Sequence, residues 1–108
     1  MTNYKPLPNS VTIKTSSIEG LGLFATKTIP KNIDLGMIHF CAITPTAIWY
    51  KEILIRTPLG GFINHSKKPN CKKIRLDNEW HLKTLKQIKK GEELTLKYTL
   101  YDPRGNND

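Results

Sequence analysis

Short strand-like runs, separated by glycine, proline or asparagine, recur along this chain of 108 residues. The runs are VTIK, GLFATK, IDLGMIHFCAI, EWHLKTLKQI and EELTLKYTL. In EWHLKTLKQI, the even-numbered positions from Trp80 to Lys86 fall on one face of a strand and the odd-numbered positions on the other. Runs of this length and spacing are typical of a small twisted β-domain, so the sequence predicts a mainly β fold. The stretch AIWYKEILIR fits a helical turn or a strand equally well.

The length of the chain suits one domain with a modest core. Residues 1–10 contain two prolines and few apolar side chains, which predicts a loose N-terminal arm. Residues 103–108 are polar and predict a short C-terminal tail, so the folded domain is expected at 11–102. No signal peptide or transmembrane run is visible, and we expect an intracellular protein.

Charge and cysteine content narrow the class of protein further. The formal net charge of +8 favours an acidic or polyanionic partner. The two cysteines, Cys41 and Cys71, are too few for a disulfide scaffold and are expected to be reduced thiols. His65 and Cys71 are potential metal ligands, but no CxxC pair accompanies them, so no metal site is expected.

Two segments of the chain resemble each other. KTIPKNIDL at 27–35 and KQIKKGEEL at 86–94 share lysine, isoleucine, lysine, an acidic residue and leucine at matching offsets. Tight turns are common, and two copies are too few for a solenoid. The similarity indicates two β-turn–β units packed about a pseudo-twofold axis.

Three stretches carry residues able to do chemistry, although each alone has an ordinary structural interpretation. In IEGLGLFATKTI, Gly20 and Gly22 flank Leu21 and indicate a bulge or tight turn. In GGFINHSKKPN, the glycines suggest a flexible approach to buried apolar residues, followed by Asn64 and His65 in a hydrogen-bonded loop. In GEELTLKYTLYDP, two tyrosines suit the core or its rim.

Together and in this order, the three stretches resemble the blocks of the SET-domain protein lysine methyltransferases. The blocks of that family are a GxG segment, an NHSxxPN segment and a GEExTxxY segment, and the resemblance spans roughly residues 12 to 101. The size is similar to that of the minimal stand-alone SET proteins of viruses and bacteria. The resemblance implies a SET-domain, β-clip-like fold of short twisted sheets, with a C-terminal pseudoknot in which the NHSxxPN segment is tucked beneath the last block.

The resemblance also implies an activity and a set of site residues. The activity is S-adenosylmethionine-dependent transfer of a methyl group to a lysine amine of a histone or another host or self protein. Tyr98 corresponds to the catalytic tyrosine, and Tyr50 and Tyr101 to substrate contacts. The implied cofactor-binding residues are Gly20, Leu21, Gly22, Leu23, Phe62, Asn64, His65 and Tyr98.

The chain departs from the family pattern at several positions. Gly61 stands where an arginine is frequent, and Lys97 where aspartate is common. The cysteine-rich post-SET zinc segment is absent from the sequence. We therefore expect the lysine channel to be completed by the N-terminal arm, by the substrate or by the partner subunit of a homodimer.

Two other functions remain open from the sequence. One is a SET-like binding module with weak or no catalysis. The other is a small basic nucleic-acid-binding β-domain, in which Trp49 and Trp80 stack on bases. The basic residues of that alternative are Lys67, Lys68, Lys72, Lys73 and Arg75. We interpret them as a solvated loop and expect only weak, sequence-independent binding of nucleic acid.

Overall fold

The computed structural model describes residues 6–45 and 50–97, with the side chains of 6–40 and 55–97. Over these residues the chain is mainly β, which confirms the predicted fold class. The strands and one helical turn, in chain order, are β1 (Val11–Thr15), β2 (Leu21–Ala25), β3 (Asp34–Pro45), β4 (Tyr50–Arg56), α1 (Pro58–Gly61), β5 (Asn64–His65), β6 (Cys71–Leu76), β7 (Glu79–Thr84) and β8 (Glu93–Leu96). The stretch AIWYKEILIR is thus a strand from residue 50 onward, and residues 46–49 lie outside the described part.

The strands form a mixed sheet in the order β1-β2-β8-β6-β7-β3-β4, and β5 adds to β8. Most neighbours are antiparallel, but β8 runs parallel to both β5 and β6. This parallel contact brings the segment around residues 64–71 against the last described strand. Among the described residues, no helix is long and apolar enough to cross a membrane.

The two similar segments pair with each other, as the sequence predicts. Ile29 and Ile88 exchange backbone hydrogen bonds of 2.7 and 2.8 Å and are almost fully buried. Asn32 and Gly91, five positions into each segment, both adopt a positive φ. The turns also contact the strands in a symmetric way. Asn32 N–H of the first turn donates to the carbonyl of Thr84 at the end of β7, and Gly91 N–H of the second turn donates to the carbonyl of Ala25 at the end of β2.

The core is built from the inward-facing positions of the strands and from the segment around α1. Its fully buried side chains include Leu23, Ile38, Leu59, Leu82, Ile88 and Leu94. In β7, Leu82 and Thr84 are buried, as the alternation predicts, whereas Trp80 is half-buried at the edge of the core.

The residues just before β1 contact the folded domain. Leu7 packs against the core, and Thr26 donates hydrogen bonds from its N–H to Ser10 and from its hydroxyl to Asn9. Part of the segment expected to be a loose arm is therefore held against the end of β2, because its carbonyls satisfy donors there. Residues 1–5 lie outside the described part.

The glycine pair at 60–61 is not a flexible approach to the site. It belongs to α1, which begins after the N-cap Thr57. The hydroxyl of Thr57 accepts the N–H of Gly60 and donates to the carbonyl of Met37, which fixes the turn on β3. A side-chain carbon on Gly60 would lie 3.0 Å from the carbonyl carbon of Ile38, so close packing requires glycine here.

Candidate active site

A tight turn presents the backbone of the GxG segment. Ser16 N–H donates to the carbonyl of Gly20 at 2.8 Å, and Gly20 has a φ of 45° with open space where a side chain would be. Leu21 begins β2 and is 49% exposed. The segment is therefore a tight turn, one of the two structures that the sequence indicates, and it leaves the backbone at Gly20 open.

The side-chain amide of Asn64 joins all three sequence blocks. Its Nδ2 donates to the carbonyl oxygens of Glu19 and Leu21, both at 3.1 Å, and to the carboxylate of Glu93 at 2.9 Å. The backbone of Asn64 lies level with Thr95 in the parallel pairing of β5 with β8. Residues separated by 29 to 45 positions in the sequence are thus brought to one place.

Glu93 is the acidic centre of this arrangement. Its half-buried carboxylate accepts the hydroxyl of Ser16 at 2.8 and 2.9 Å in addition to the amide of Asn64. A side-chain carbon on Gly22 would lie 2.9 Å from Glu93 Cδ and 3.0 Å from Asn64 Nδ2. The second glycine of the GxG segment therefore makes room for the carboxylate and the amide.

Asn70, at the other end of the NHSxxPN segment, binds β8. Its side chain donates to the carbonyl of Glu93 at 2.9 Å and accepts the N–H of Thr95 at 2.8 Å. Between the two asparagines, Ser66 N–H donates to the carbonyl of Leu96 at 3.1 Å. The segment is held to β8 along its length, so the blocks lie together as the resemblance implies.

The remaining proposed site residues differ in position. Phe62 is half-buried against the core, and His65 is half-buried in β5, level with Leu96. Leu23 is fully buried and its side chain belongs to the core, so the structure does not bring that side chain to the site. Tyr50 begins β4, but its side chain lies outside the described residues, as do Tyr98 and Tyr101.

The thiol of Cys71 is buried and is not available as a nucleophile. Cys71 is 1% exposed, and burial raises the pKa of its thiol to about 12, so it stays protonated and unreactive at neutral pH. Among the described side chains, those of 6–40 and 55–97, no group of three or more histidine, cysteine or acidic residues is arranged to hold a metal ion.

Sequence reasoning missed Ser16 and Glu93 as members of the site. The location of Glu93 in the third sequence block, GEELTLKYTLYDP, could have identified it as a site residue. Ser16 precedes the GxG segment in a polar turn and carried no signal, because its partner is 77 positions away.

Comparisons with known proteins agree with this arrangement. The sequence profile of the SET domain matches residues 33–99. A SET and MYND domain-containing protein of Dictyostelium discoideum is 31% identical, over 76% of this chain and 25% of the relative. The chain thus spans a quarter of the length of that relative.

Solved structures share the fold. A Plasmodium falciparum protein described as a histone methyltransferase superposes with a TM-score of 0.62 at 21% identity, covering 84% of this chain and 94% of the other. The methyltransferase domain of human PR domain-containing protein 2 gives 0.66 at 20% identity, covering 93% and 84%. Because the SET-domain profile matches residues 33–99 and the fold agrees, the chain belongs to the SET-domain family.

Proposed function

We propose that this chain is an S-adenosylmethionine-dependent protein lysine N-methyltransferase. The observation that carries the proposal is the amide of Asn64, which binds the GxG turn and Glu93 at the same time. That contact gathers the three blocks of the family at one accessible turn. The substrate is a lysine-bearing protein, a histone or another one, which is consistent with the name of the Plasmodium falciparum structural neighbour.

The chemistry of the donor and acceptor groups fits the cofactor. S-adenosylmethionine carries a sulfonium and an ammonium, which seek oxygen acceptors. The turn supplies the carbonyls of Glu19 and Leu21, and the carboxylate of Glu93 lies beside them. With no side chain at Gly20, a ligand can approach the backbone closely. Asn64, His65 and the backbone of residues 20–22 would hold the cofactor, and Phe62 would border it.

The bound cofactor supplies an electrophilic methyl group on its sulfonium. Transfer to an amine is an in-line displacement, so the protein has to orient the two partners and exclude water. A lysine amine has an ordinary pKa of about 10.4, and a dry channel that disfavours its cation promotes loss of the proton. Tyr98 is proposed to hold the neutral amine in line through its hydroxyl. Tyr50 and Tyr101 are proposed to line the channel.

The first test measures cofactor affinity by calorimetry. Asn64→Ala and His65→Ala are expected to weaken S-adenosylmethionine binding at least about tenfold, because a polar partner that is lost costs about 1–3 kcal/mol. Asn70→Ala is the matched control, since Asn70 also fastens the NHSxxPN segment to β8 but does not contact the GxG turn. Equal losses of affinity in Asn64→Ala and Asn70→Ala would mean that Asn64 acts through the fold alone.

The second test concerns turnover. Tyr98→Phe removes one hydroxyl and is expected to keep cofactor affinity while the rate falls about a hundredfold or more, as for other positioned transition-state groups. Tyr101→Phe is expected to reduce the rate less and to change the number of methyl groups added. Single-turnover transfer to a panel of histones and lysate proteins, read by mass spectrometry, gives both results. Cofactor binding without any transfer would favour the binding-module alternative, and a wild-type rate in Tyr98→Phe would remove Tyr98 from its role.

We also propose that the chain pairs as a homodimer. Support comes from an apolar row on the outer face of the sheet, opposite the core. Leu76, Phe40 and Ile55 lie in register across β6, β7, β3 and β4, with Glu79 between them. Leu76 is 47% exposed and Ile55 is 37% exposed, so apolar surface is open to water at both ends of the row.

A further inference from the structure

A second polar cluster lies on the core-side face of the sheet, beyond the edge of the core. Arg75 of β6 pairs with Trp80 of β7, Trp80 with His39 of β3, and His39 with Arg56 of β4. Residues directly opposite each other in neighbouring strands project from the same face. Lys73 precedes Arg75 by two positions and shares that face. We call these five residues the Trp80 cluster.

Two cations of the Trp80 cluster are positioned by the indole ring. Lys73 Nζ lies 5.3 Å from the centre of the Trp80 ring, and Arg75 Cζ lies 5.6 Å from it. Arg75 Nε also donates to the carbonyl of Asp77 at 3.1 Å, which restricts its side chain. Cation–π contacts of this length orient a charged group without neutralising it. The cations are thus held in place and keep their charge.

No carboxylate among the described side chains forms an ion pair with a residue of the Trp80 cluster. Among the described side chains, the ion pairs of the structure both belong to His81, which projects from the opposite face. Burial, followed by the charges of Arg56 and Lys73, lowers the pKa of His39. Burial also lowers the pKa of Lys73. Groups that repel each other in this way are stabilised by an anion placed between them.

We propose that the Trp80 cluster binds the phosphodiester backbone of single-stranded nucleic acid. Strands lie about 4.8 Å apart, so the row from Arg75 to Arg56 spans about 14 Å. A single phosphate or carboxylate cannot bridge that length, whereas a repeating polyanion follows it. An aromatic ring among arginine and lysine side chains is the combination found in grooves for single strands, and an acidic peptide has no need of the ring.

The cluster differs from the basic stretch visible in the sequence. Of the basic residues at 67–75, only Lys73 and Arg75 belong to it. Lys67 and Lys68 are exposed outside the strands, as the expected solvated loop requires. Lys72, Lys73 and Arg75 instead belong to β6, because that segment pairs with β7, and the exposed Lys72 projects from the face opposite the cluster. His39 and Arg56 come from distant segments and carried no sequence signal. Because the contacts reach phosphates and not base edges, binding is independent of sequence.

The test compares two neighbouring lysines. Anisotropy of a labelled deoxythymidine dodecamer, at low salt and pH 7, is measured with the wild-type chain, Lys73→Gln and Lys72→Gln. Each variant removes one positive charge, but only Lys73 lies in the cluster. We expect Lys73→Gln and Arg75→Gln to weaken binding at least about fivefold, and Lys72→Gln to weaken it less than twofold. Equal effects of Lys72→Gln and Lys73→Gln would overturn the proposal. Arg75 is exposed, so Arg75→Gln tests the site even if Lys73→Gln fails to fold.

Salt dependence and competition test the chemistry of the ligand. If Lys73, Arg75 and Arg56 each contact one phosphate, a plot of the logarithm of the association constant against the logarithm of the salt concentration should have a slope of about −2. In Arg56→Gln the magnitude of that slope should fall by about 0.7. Poly-glutamate at the same total charge should displace the labelled oligonucleotide poorly. If it competes as well as an unlabelled oligonucleotide, the ligand of the Trp80 cluster is an acidic protein segment and not nucleic acid.

In Trp49→Phe, which leaves Trp80 as the indole reporter, the oligonucleotide should change tryptophan fluorescence. An unchanged spectrum at saturation would place the binding elsewhere.

A pH titration adds a third readout. An anion beside His39 favours its protonated form, so binding should strengthen as the pH falls from 7.5 to 5.5. The charged groups around His39 are Arg56 on β4 and Lys73 and Arg75 on β6. His39→Gln should flatten the profile, and an unchanged profile in that variant would exclude His39 from the site.

Discussion

Gly60 has no room for a side chain, and this gives the first prediction. Its added carbon would be 3.0 Å from the carbonyl carbon of Ile38 and 3.1 Å from Ile38 Cβ, and neither β3 nor α1 can shift without disturbing the core. Gly60→Ala is expected to lower the free energy of unfolding by about 1–3 kcal/mol, the usual range for overpacking. Urea denaturation followed by circular dichroism measures the loss.

Gly61→Ala is the matched control for that prediction. A carbon added at Gly61 meets Arg56 Cδ at 3.7 Å, an ordinary contact. The substitution should leave the free energy of unfolding within about 0.5 kcal/mol of wild type, or raise it, because alanine restricts the unfolded chain. If the two alanine variants were equally stable, close packing would not be the reason for glycine at position 60.

The role of a single residue could be predicted when its contacts are close in sequence and not when its partners are far away in sequence. Asn64 was recognised as a hydrogen-bonding residue because its type and motif are local. Its partners Glu19 and Glu93 were not, since they lie 45 and 29 positions away. Gly60 was interpreted as flexible because the sequence does not show that β3 passes beside it.

At the scale of elements, His81 connects β7 to the start of β3. Its Nδ1 lies 3.0 Å from Asp34 Oδ1 and its Nε2 lies 2.7 Å from Glu79 Oε1. Burial lowers the pKa of His81, but the hydrogen bonds and charges of Glu79 and Asp34 outweigh it, so the pKa is raised. Because the pKa of His81 is raised by folding, its contribution to stability is fully present below its pKa in the unfolded chain, about 6.5. That contribution is lost as the pH rises through the pKa of His81 in the folded protein.

We therefore expect His81→Gln to destabilise the protein more at pH 5.5 than at pH 8.5. The difference in melting temperature between wild type and variant should be larger at pH 5.5 by about 2–4 °C, since both acidic partners are partly exposed. His39→Gln is the control, and it should destabilise the protein more at pH 8.5 than at pH 5.5. The reason is that the pKa of His39 is lowered, so its neutral form favours folding. Parallel pH profiles of the two variants would contradict the assigned charge states.

Elements were predicted where one face of a strand is buried over several residues. The alternation in β7 was correct because Leu82 and Thr84 face the core. The helical turn α1 has four residues and β5 has two, too few for a periodic signal. The formation of β5 depends on its parallel pairing with β8, which is a tertiary contact.

At the scale of the whole molecule, the pseudo-twofold could be predicted and the strand order could not. The pairing of Ile29 with Ile88 follows from the similarity of two segments that each need a residue with positive φ, Asn32 and Gly91. The placement of β8 between β2 and β6 has no counterpart in local sequence, because it joins segments about 25 and 70 positions apart. The resemblance to the SET family predicted that the three sequence blocks lie close together, but it did not predict the order of the strands in the sheet.

The proposed homodimer is the prediction that belongs to this scale. Pairing through the apolar row would bury Leu76 and Ile55, which water now reaches. Analytical ultracentrifugation of the wild-type chain should give a dimer mass, and Leu76→Glu combined with Ile55→Glu should give a monomer, since charges in the interface would be buried without partners. Ile33→Glu is the control, because Ile33 is also exposed, at 38%, but lies outside the row. A monomer mass of the wild-type chain at high concentration, with methyl transfer retained, would show that the site is complete within one copy. A dimer that survives in the double variant would place the interface on another face.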